Sequence, residues 1–179
     1  MSALPSLDEF VAWEETQELR YEYDGSAIYE MKGATYAHAR IQSNLISSFG
    51  ARLVGRTCVV LGGLLKVRTP TSIRYPDSLV HCSYIPPNST FAPAPVVIFE
   101  VLSPSSAARD LGAKTAEYLS LPSLRRYVVL HQCAAAANVF FRSDDGDWRH
   151  EFLAAEDALA LPEIGVEVAL AEIYDGIEF

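Results

Sequence analysis

Two short apolar stretches of this chain each enclose one carboxylate, and they constrain its folding more than any other feature. The first is Arg74-Tyr75-Pro76-Asp77-Ser78-Leu79-Val80, the second Val96-Val97-Ile98-Phe99-Glu100-Val101-Leu102. Both read as buried strands. A carboxylate buried without a partner is costly, so a metal ion or a cationic side chain must meet Asp77 and Glu100. The two acids are therefore the first candidates for a functional site.

The charge around them is unevenly spread. Net charge is -9, which by itself speaks against binding phosphate, since that rests on Lys and Arg. Met1 to Tyr36 holds eight acids and two bases, Ala37 to Arg142 four and eleven, and Ser143 to Phe179 eleven and one. The centre is thus basic, consistent either with a phosphate-binding groove or with acidic flanks that only keep the protein soluble.

With 179 residues, half of them hydrophobic, the chain can bury one sizeable core, and a single domain over 1–179 is expected. Within it 1–36 would form an N-terminal helix and hairpin, 37–132 the core, and 133–179 a C-terminal hairpin and tail. No apolar run reaches the ~18 residues of a membrane span, and Met1 to Phe10 lacks the regions of a signal peptide, so the cytoplasm is expected. Cys58, Cys82 and Cys133 show neither CxxC pairing nor zinc-ligand spacing and read as buried thiols.

Periodicity supplies the element order. Leu7 to Leu19 predicts a short amphipathic helix, and Asp24-Gly25 a tight turn between strands at Tyr21 to Tyr23 and Ala27 to Met31. His38 to Val54 is helical, with Ile41, Leu45, Ile46, Phe49 and Leu53 on one face. Strands follow at Cys58 to Val67, interrupted by Gly62-Gly63 as at a bulge, at Tyr75 to Cys82 and at Val96 to Leu102. Ser103-Pro104 opens a helix to about Leu121, Arg126 to Gln132 is a strand, and Asn138 to Arg142 with Trp148 to Phe152 form a second hairpin. Leu159 to Leu161 and Val166 to Leu170 suit an edge strand and a terminal turn. The order implies an α/β (α+β) protein with one mixed sheet flanked by helices and a hairpin added near each end.

A Pro-Asp at one strand, a Glu inside the next, and a following helix that carries Lys together resemble the PD-(D/E)XK nuclease superfamily. Within it the chain is similar to the bacterial Uma-type restriction-endonuclease family, long treated as a domain of unknown function. The resemblance runs through Phe10-Val-Ala-Trp-Glu14, Arg20-Tyr-Glu-Tyr-Asp-Gly25, His38, Tyr75-Pro-Asp77, Glu100-Val-Leu-Ser-Pro-Ser105, Asp110, Lys114 and Tyr118. It implies a restriction-endonuclease-like core, hydrolysis of phosphodiesters in DNA, double-stranded by expectation, and a metal held by Asp77, Glu100 and the main-chain carbonyl of Val101. A homodimer is expected if both strands are cut.

The chemistry agrees with that expectation. Mg²⁺ takes one or two carboxylates plus water and phosphate oxygens, lowers the pKa of water and stabilises charge on a phosphate, and Mn²⁺ would serve alike. The superfamily's strand lysine would stand two residues after Glu100, where this chain has Leu102. The lysine must come from elsewhere: from Lys114, one turn beyond Asp110 and one before Tyr118, or from Lys66 near Arg68 and Arg74. Glu22 is a further candidate, a third acid able to reach a second metal, or else a surface position on its hairpin. His38 is read as a helix cap, a phosphate contact or a packed histidine, Asp110 with Lys114 also as a plain helical ion pair, and Asp77 with Glu100 also as a structural pair neutralised by Lys66 or Arg74. The alternative class is a degenerate nuclease fold serving as a nucleic-acid-binding or interaction module. No phosphate loop and no serine nucleophile elbow is present.

Overall fold

The computed structural model describes residues 4–102 and 111–179. Helix α1 (Leu7–Glu14) starts at a capping box: Ser6 Oγ accepts from the Glu9 amide, and Glu9 accepts from the Ser6 amide at 2.8 Å. It ends five residues short of the expected Leu19. Strands β1 (Tyr21–Tyr23) and β2 (Ile28–Glu30) form the first hairpin. Its turn is held by Asp24, which accepts from the Ser26 and Ala27 amides and the Tyr29 hydroxyl. Gly25 has φ +83°, and a Cβ there would lie 2.8 Å from Thr71 O.

Helix α2 (Tyr36–Leu53), capped by Thr35, buries Ile41, Leu45, Phe49 and Leu53, the face its periodicity announces. After it the chain builds β3 (Val59–Gly62), β4 (Val67–Arg68), β5 (Ile73–Arg74), β6 (Ser78–His81) and β7 (Pro95–Leu102). Then come α3 (Ala113–Leu119), β8 (Arg126–His131), β9 (Ala137–Arg142), β10 (Trp148–Leu153), β11 (Ala158–Leu161), a 3₁₀ turn (Pro162–Ile164), β12 (Val166–Ala169) and α4 (Leu170–Ile173).

The main sheet has six strands in the order β10-β9-β8-β7-β6-β3, all antiparallel except the β7–β8 pair, so it is mixed as expected. Val97, Phe99, Val101, Val128 and Leu130 point to one face, under α2, β11–β12 and α4. Leu79, Ile98, Tyr127 and Val129 point to the other, under α3. A second sheet, β2-β1-β5-β4, packs with α1 around Phe10, Tyr23 and Ile73.

What reads as two continuous strands is split between these sheets. The run from Cys58 to Val67 breaks after Gly62 and re-enters in the second sheet as β4, and the run from Tyr75 to Cys82 joins the main sheet only at Ser78. Pro76 lacks an N–H and lies where ladder pairing stops. The two crossings touch at Gly63, where a Cβ would stand 2.9 Å from Pro76 O and 3.2 Å from Asp77 O. Glycine is required there by the closeness of the backbone that carries Asp77.

The cysteine reading is corrected. Cys58 and Cys82 form a disulfide, and Cys133 is exposed rather than buried. The β3–β6 ladder ends on the pair Val59 with His81, and one further step sets Cys58 beside Cys82, a proximity that appears only once the register is known. Ser103 to Asp110, the predicted start of the helix before α3, lies outside the described residues, and so does Asp110 as a candidate. Among the described residues no helix is long and apolar enough to cross a membrane.

Candidate active site

Asp77 and Glu100 open on one cleft. The β6–β7 ladder ends on the pair Ser78 with Phe99, so Asp77 lies one residue before β6 and Glu100 one residue beyond the last β7 position that pairs with β6. Glu100, two residues from Ile98, points to the α3 side. Asp77 Oδ2 accepts from the Val101 amide at 2.6 Å and Oδ1 meets His38 Nε2 at 2.9 Å. Gln42, one turn after His38, donates to the Asp77 carbonyl. Helix α2 thus holds both the carboxylate and the backbone of Asp77.

Glu100 is 3% exposed, and its Oε1 accepts from Lys114 Nζ at 3.0 Å and from the Tyr118 hydroxyl at 2.9 Å. Lys114 and Tyr118 stand one turn apart on α3, so a single helix face supplies both donors. Burial first, and then the Glu100 charge, push the Tyr118 hydroxyl well above its ordinary pKa, which keeps it a proton donor. The residue that replaces the strand lysine, Leu102, packs into the apolar cluster under α3.

Glu22 is no surface residue. The β1–β5 pairing draws it in to 6% exposure, where Oε1 meets Lys114 Nζ at 3.2 Å and the Tyr75 amide at 3.0 Å, and Oε2 meets Arg74 Nη1 at 3.2 Å. Arg74 in turn forks onto Glu117 at 2.7 and 2.8 Å. Burial alone would lower the Arg74 pKa, but the hydrogen bonds that Arg74 donates to Glu117 and the charge of Glu22 outweigh it and raise it. Arg74 is therefore a fixed cation that balances Glu22 and Glu117.

These groups open on a cleft of about 860 Å³ lined by Glu22, His38, Asp77, Glu100, Val101 and Lys114 among others. Gln132, at the end of β8, also lines it, and its Oε1 is buried without a hydrogen-bond partner. Sequence reasoning passed over Gln132 and Gln42. Gln42 was accessible as the residue four after His38, whereas Gln132 carries no local signal. The cleft wall opposite comes from β2 and the loop to α2, with Arg20 and Lys32 as cations that have no carboxylate within 4 Å among the described residues.

The structure does not bring Lys66 to this cleft. It is 3% exposed, with Nζ 2.9 Å from Glu14 and 3.6 Å from Glu15, on the far side of the β3–β4 crossing. Most cations of the basic centre are paired. Of the ten described bases between 37 and 142, seven pair with an acid of the flanks: Arg40 with Asp175, Arg52 with Glu172, Lys66 with Glu14, Arg68 with Asp8, Arg74 and Lys114 with Glu22, and Arg126 with Glu163. The acidic ends fold back over the basic centre and neutralise it.

Residues 7–171 match the Uma2 family, described as putative restriction endonuclease. The chain is 34% identical over 177 residues to the uncharacterized protein slr1290 of Synechocystis, covering 97% of this chain and 93% of that one. Its fold is similar to the crystal structure of a putative nuclease belonging to DUF820 from Anabaena variabilis, with a TM-score of 0.79, 18% identity, and coverage of 95% and 97% of the two chains. On the extent of these matches the chain belongs to the Uma2 family, with a restriction-endonuclease-like fold.

Proposed function

We propose that this protein is a divalent-metal-dependent endonuclease that hydrolyses phosphodiester bonds in double-stranded DNA, as a homodimer where both strands are cut. The observation that supports the reading is that Asp77, Glu100 and Lys114 line one cleft, with Lys114 paired to Glu100. The family description agrees with it.

The donor set fits Mg²⁺ or Mn²⁺. Two carboxylates and the carbonyl of Val101 are hard oxygens in the number such an ion takes from protein, the rest being water and phosphate. Bound there, the ion supplies Lewis acidity at the scissile phosphate and acidifies water. Asp77, Glu100 and the Val101 carbonyl would hold it. His38 and the Val101 amide fix the Asp77 carboxylate, and Tyr118 fixes that of Glu100. Lys114 takes the role of the absent strand lysine and balances the charge that develops on the phosphate, while Glu22 locks its ammonium in place. The sheltered Gln132 Oε1 offers an acceptor to water or a substrate N–H, and Arg20 and Lys32 offer contacts to flanking phosphates.

Nicking of supercoiled plasmid tests this reading. Wild type should nick with Mg²⁺ or Mn²⁺ and not with EDTA, and Asp77→Asn and Glu100→Gln should each lose at least about a hundredfold in rate while staying folded. Variants that cut like wild type would mean that these carboxylates are not the catalytic ones.

A further inference from the structure

The neutralisation of the basic centre by the acidic flanks leaves a remainder. Among the described bases of 37–142, Arg56, Arg125 and Arg142 have no carboxylate within 4 Å, and Arg56 is spent on the carbonyls of Ile164 and Gly165. Arg125 and Arg142 stand together. The Arg142 amide donates to the Arg125 carbonyl at 2.9 Å, and both side chains line a second cavity of about 410 Å³. That cavity is at the β8 start, opposite the strand end that carries Gln132 and the main cleft.

Arg142 is poorly satisfied by the protein. Its guanidinium lies 5.0 Å from the Trp148 ring centroid, and Nη2 makes one long contact of 3.5 Å to Leu121 O. Its Nε is buried with no partner. The Trp148 ring and the Leu121 carbonyl offset the desolvation of this cation only in part, since no acid meets it. The shortage is not one of nearby acids. Asp144, Asp145 and Asp147 follow within five residues, yet Asp145 pairs with Arg149 at 3.1 Å, and none reaches Arg142. Glu163, also at the cavity, is held by a two-pronged contact from Arg126 at 3.0 and 3.2 Å. Asp144 is the one lining carboxylate without an ion pair.

We infer that this second cavity is an oxyanion site that takes a phosphate group between Arg125 and Arg142. A phosphate oxygen would meet the terminal nitrogens of Arg142, the guanidinium being suited to charge-assisted, planar contacts, and Arg142 Nε reports the change from beside them. Arg126 with Glu163 forms a neutral wall, and Asp144 weakens the site without blocking it. The inference does not depend on the nuclease reading, because none of these groups touches the main cleft.

Titration of the full chain with inorganic phosphate, followed by the NMR signal of the Arg142 Nε–H group, tests it. A parallel arm uses a short oligonucleotide without metal. Wild type should show saturable shifts with phosphate. Arg125→Gln should weaken binding about tenfold, the loss of one charged contact. Asp144→Asn should tighten it several-fold, and Asp77→Asn should leave it unchanged. The exposed variants at 125 and 144 keep the test open even if Arg142→Gln fails to fold. An oligonucleotide bound more tightly than phosphate identifies a phosphodiester as the ligand; phosphate bound alone identifies a free oxyanion. No saturable shift in either arm, or a shift indifferent to both Arg125→Gln and Asp144→Asn, overturns the site.

Discussion

The two lysines that sequence offered for the site end up in clusters of the same composition and different access. Lys114 meets Glu100 at 3.0 Å, and the Tyr118 hydroxyl meets the same carboxylate at 2.9 Å. Lys66 meets Glu14 at 2.9 Å, and the Tyr75 hydroxyl meets that carboxylate at 2.8 Å. In both clusters burial and the neighbouring acid raise the tyrosine pKa. What differs is access. Lys66 is closed in by α1, which supplies Glu14, and by the Phe91 ring 5.3 Å away, whereas Lys114 sits at the cleft with Asp77. A buried ion pair is therefore a candidate for a site only when an open cleft and a second acid lie next to it.

The sharpest way to break that contrast is to remove each ammonium. Lys114→Met should cut nicking at least about a hundredfold, the scale of losing a group that stabilises transition-state charge. Lys66→Met should leave the turnover of folded protein near wild type and lower stability by roughly 3 kcal/mol in urea unfolding, because Glu14 stays buried without its cation. Loss of turnover in fully folded Lys66→Met would erase the distinction.

The tyrosines sharpen it further. Tyr118→Phe and Tyr75→Phe each delete one hydrogen bond to a carboxylate, about 1.5–3 kcal/mol. Both should lower the unfolding midpoint, but only Tyr118→Phe should also reduce cleavage. The smallest effect concerns the hairpin that carries Glu22 to Lys114. Burial of Asp24 would raise its pKa, but hydrogen bonds from the Ser26 and Tyr29 hydroxyls and two amides lower it to about 2. A depressed carboxylate gives stability that is complete above its unfolded value and lost as pH falls through its folded one. The hairpin should thus loosen between about pH 4 and about 2, modestly since Asp24 stays partly exposed, and Asp24→Asn should flatten that part of the acid profile.

Much of this could be read before any coordinates. Helix α2, both hairpins and β7 follow from period and turn chemistry, because each is set by residues close in sequence. That Asp77 and Glu100 belong together as candidates is suggested by the oddity of acids inside apolar strands, and both line one cleft. The division of 58–67 and 75–82 between two sheets did not, since a strand that changes sheets keeps its composition and only Gly63 and Pro76 mark the change. Nor was it visible that Glu22 would be buried, that the flanks would neutralise the centre, or that Cys58 would face Cys82. Each is a contact between residues far apart in the chain, fixed by register and packing rather than by local pattern.

The central claim is that Asp77 and Glu100 together hold a divalent ion. Calorimetric titration of Mn²⁺ into wild type, Asp77→Asn and Glu100→Gln tests it without depending on any nucleic acid. The account predicts saturable binding to wild type that disappears in both variants while their unfolding transitions persist; identical isotherms for all three proteins would contradict it.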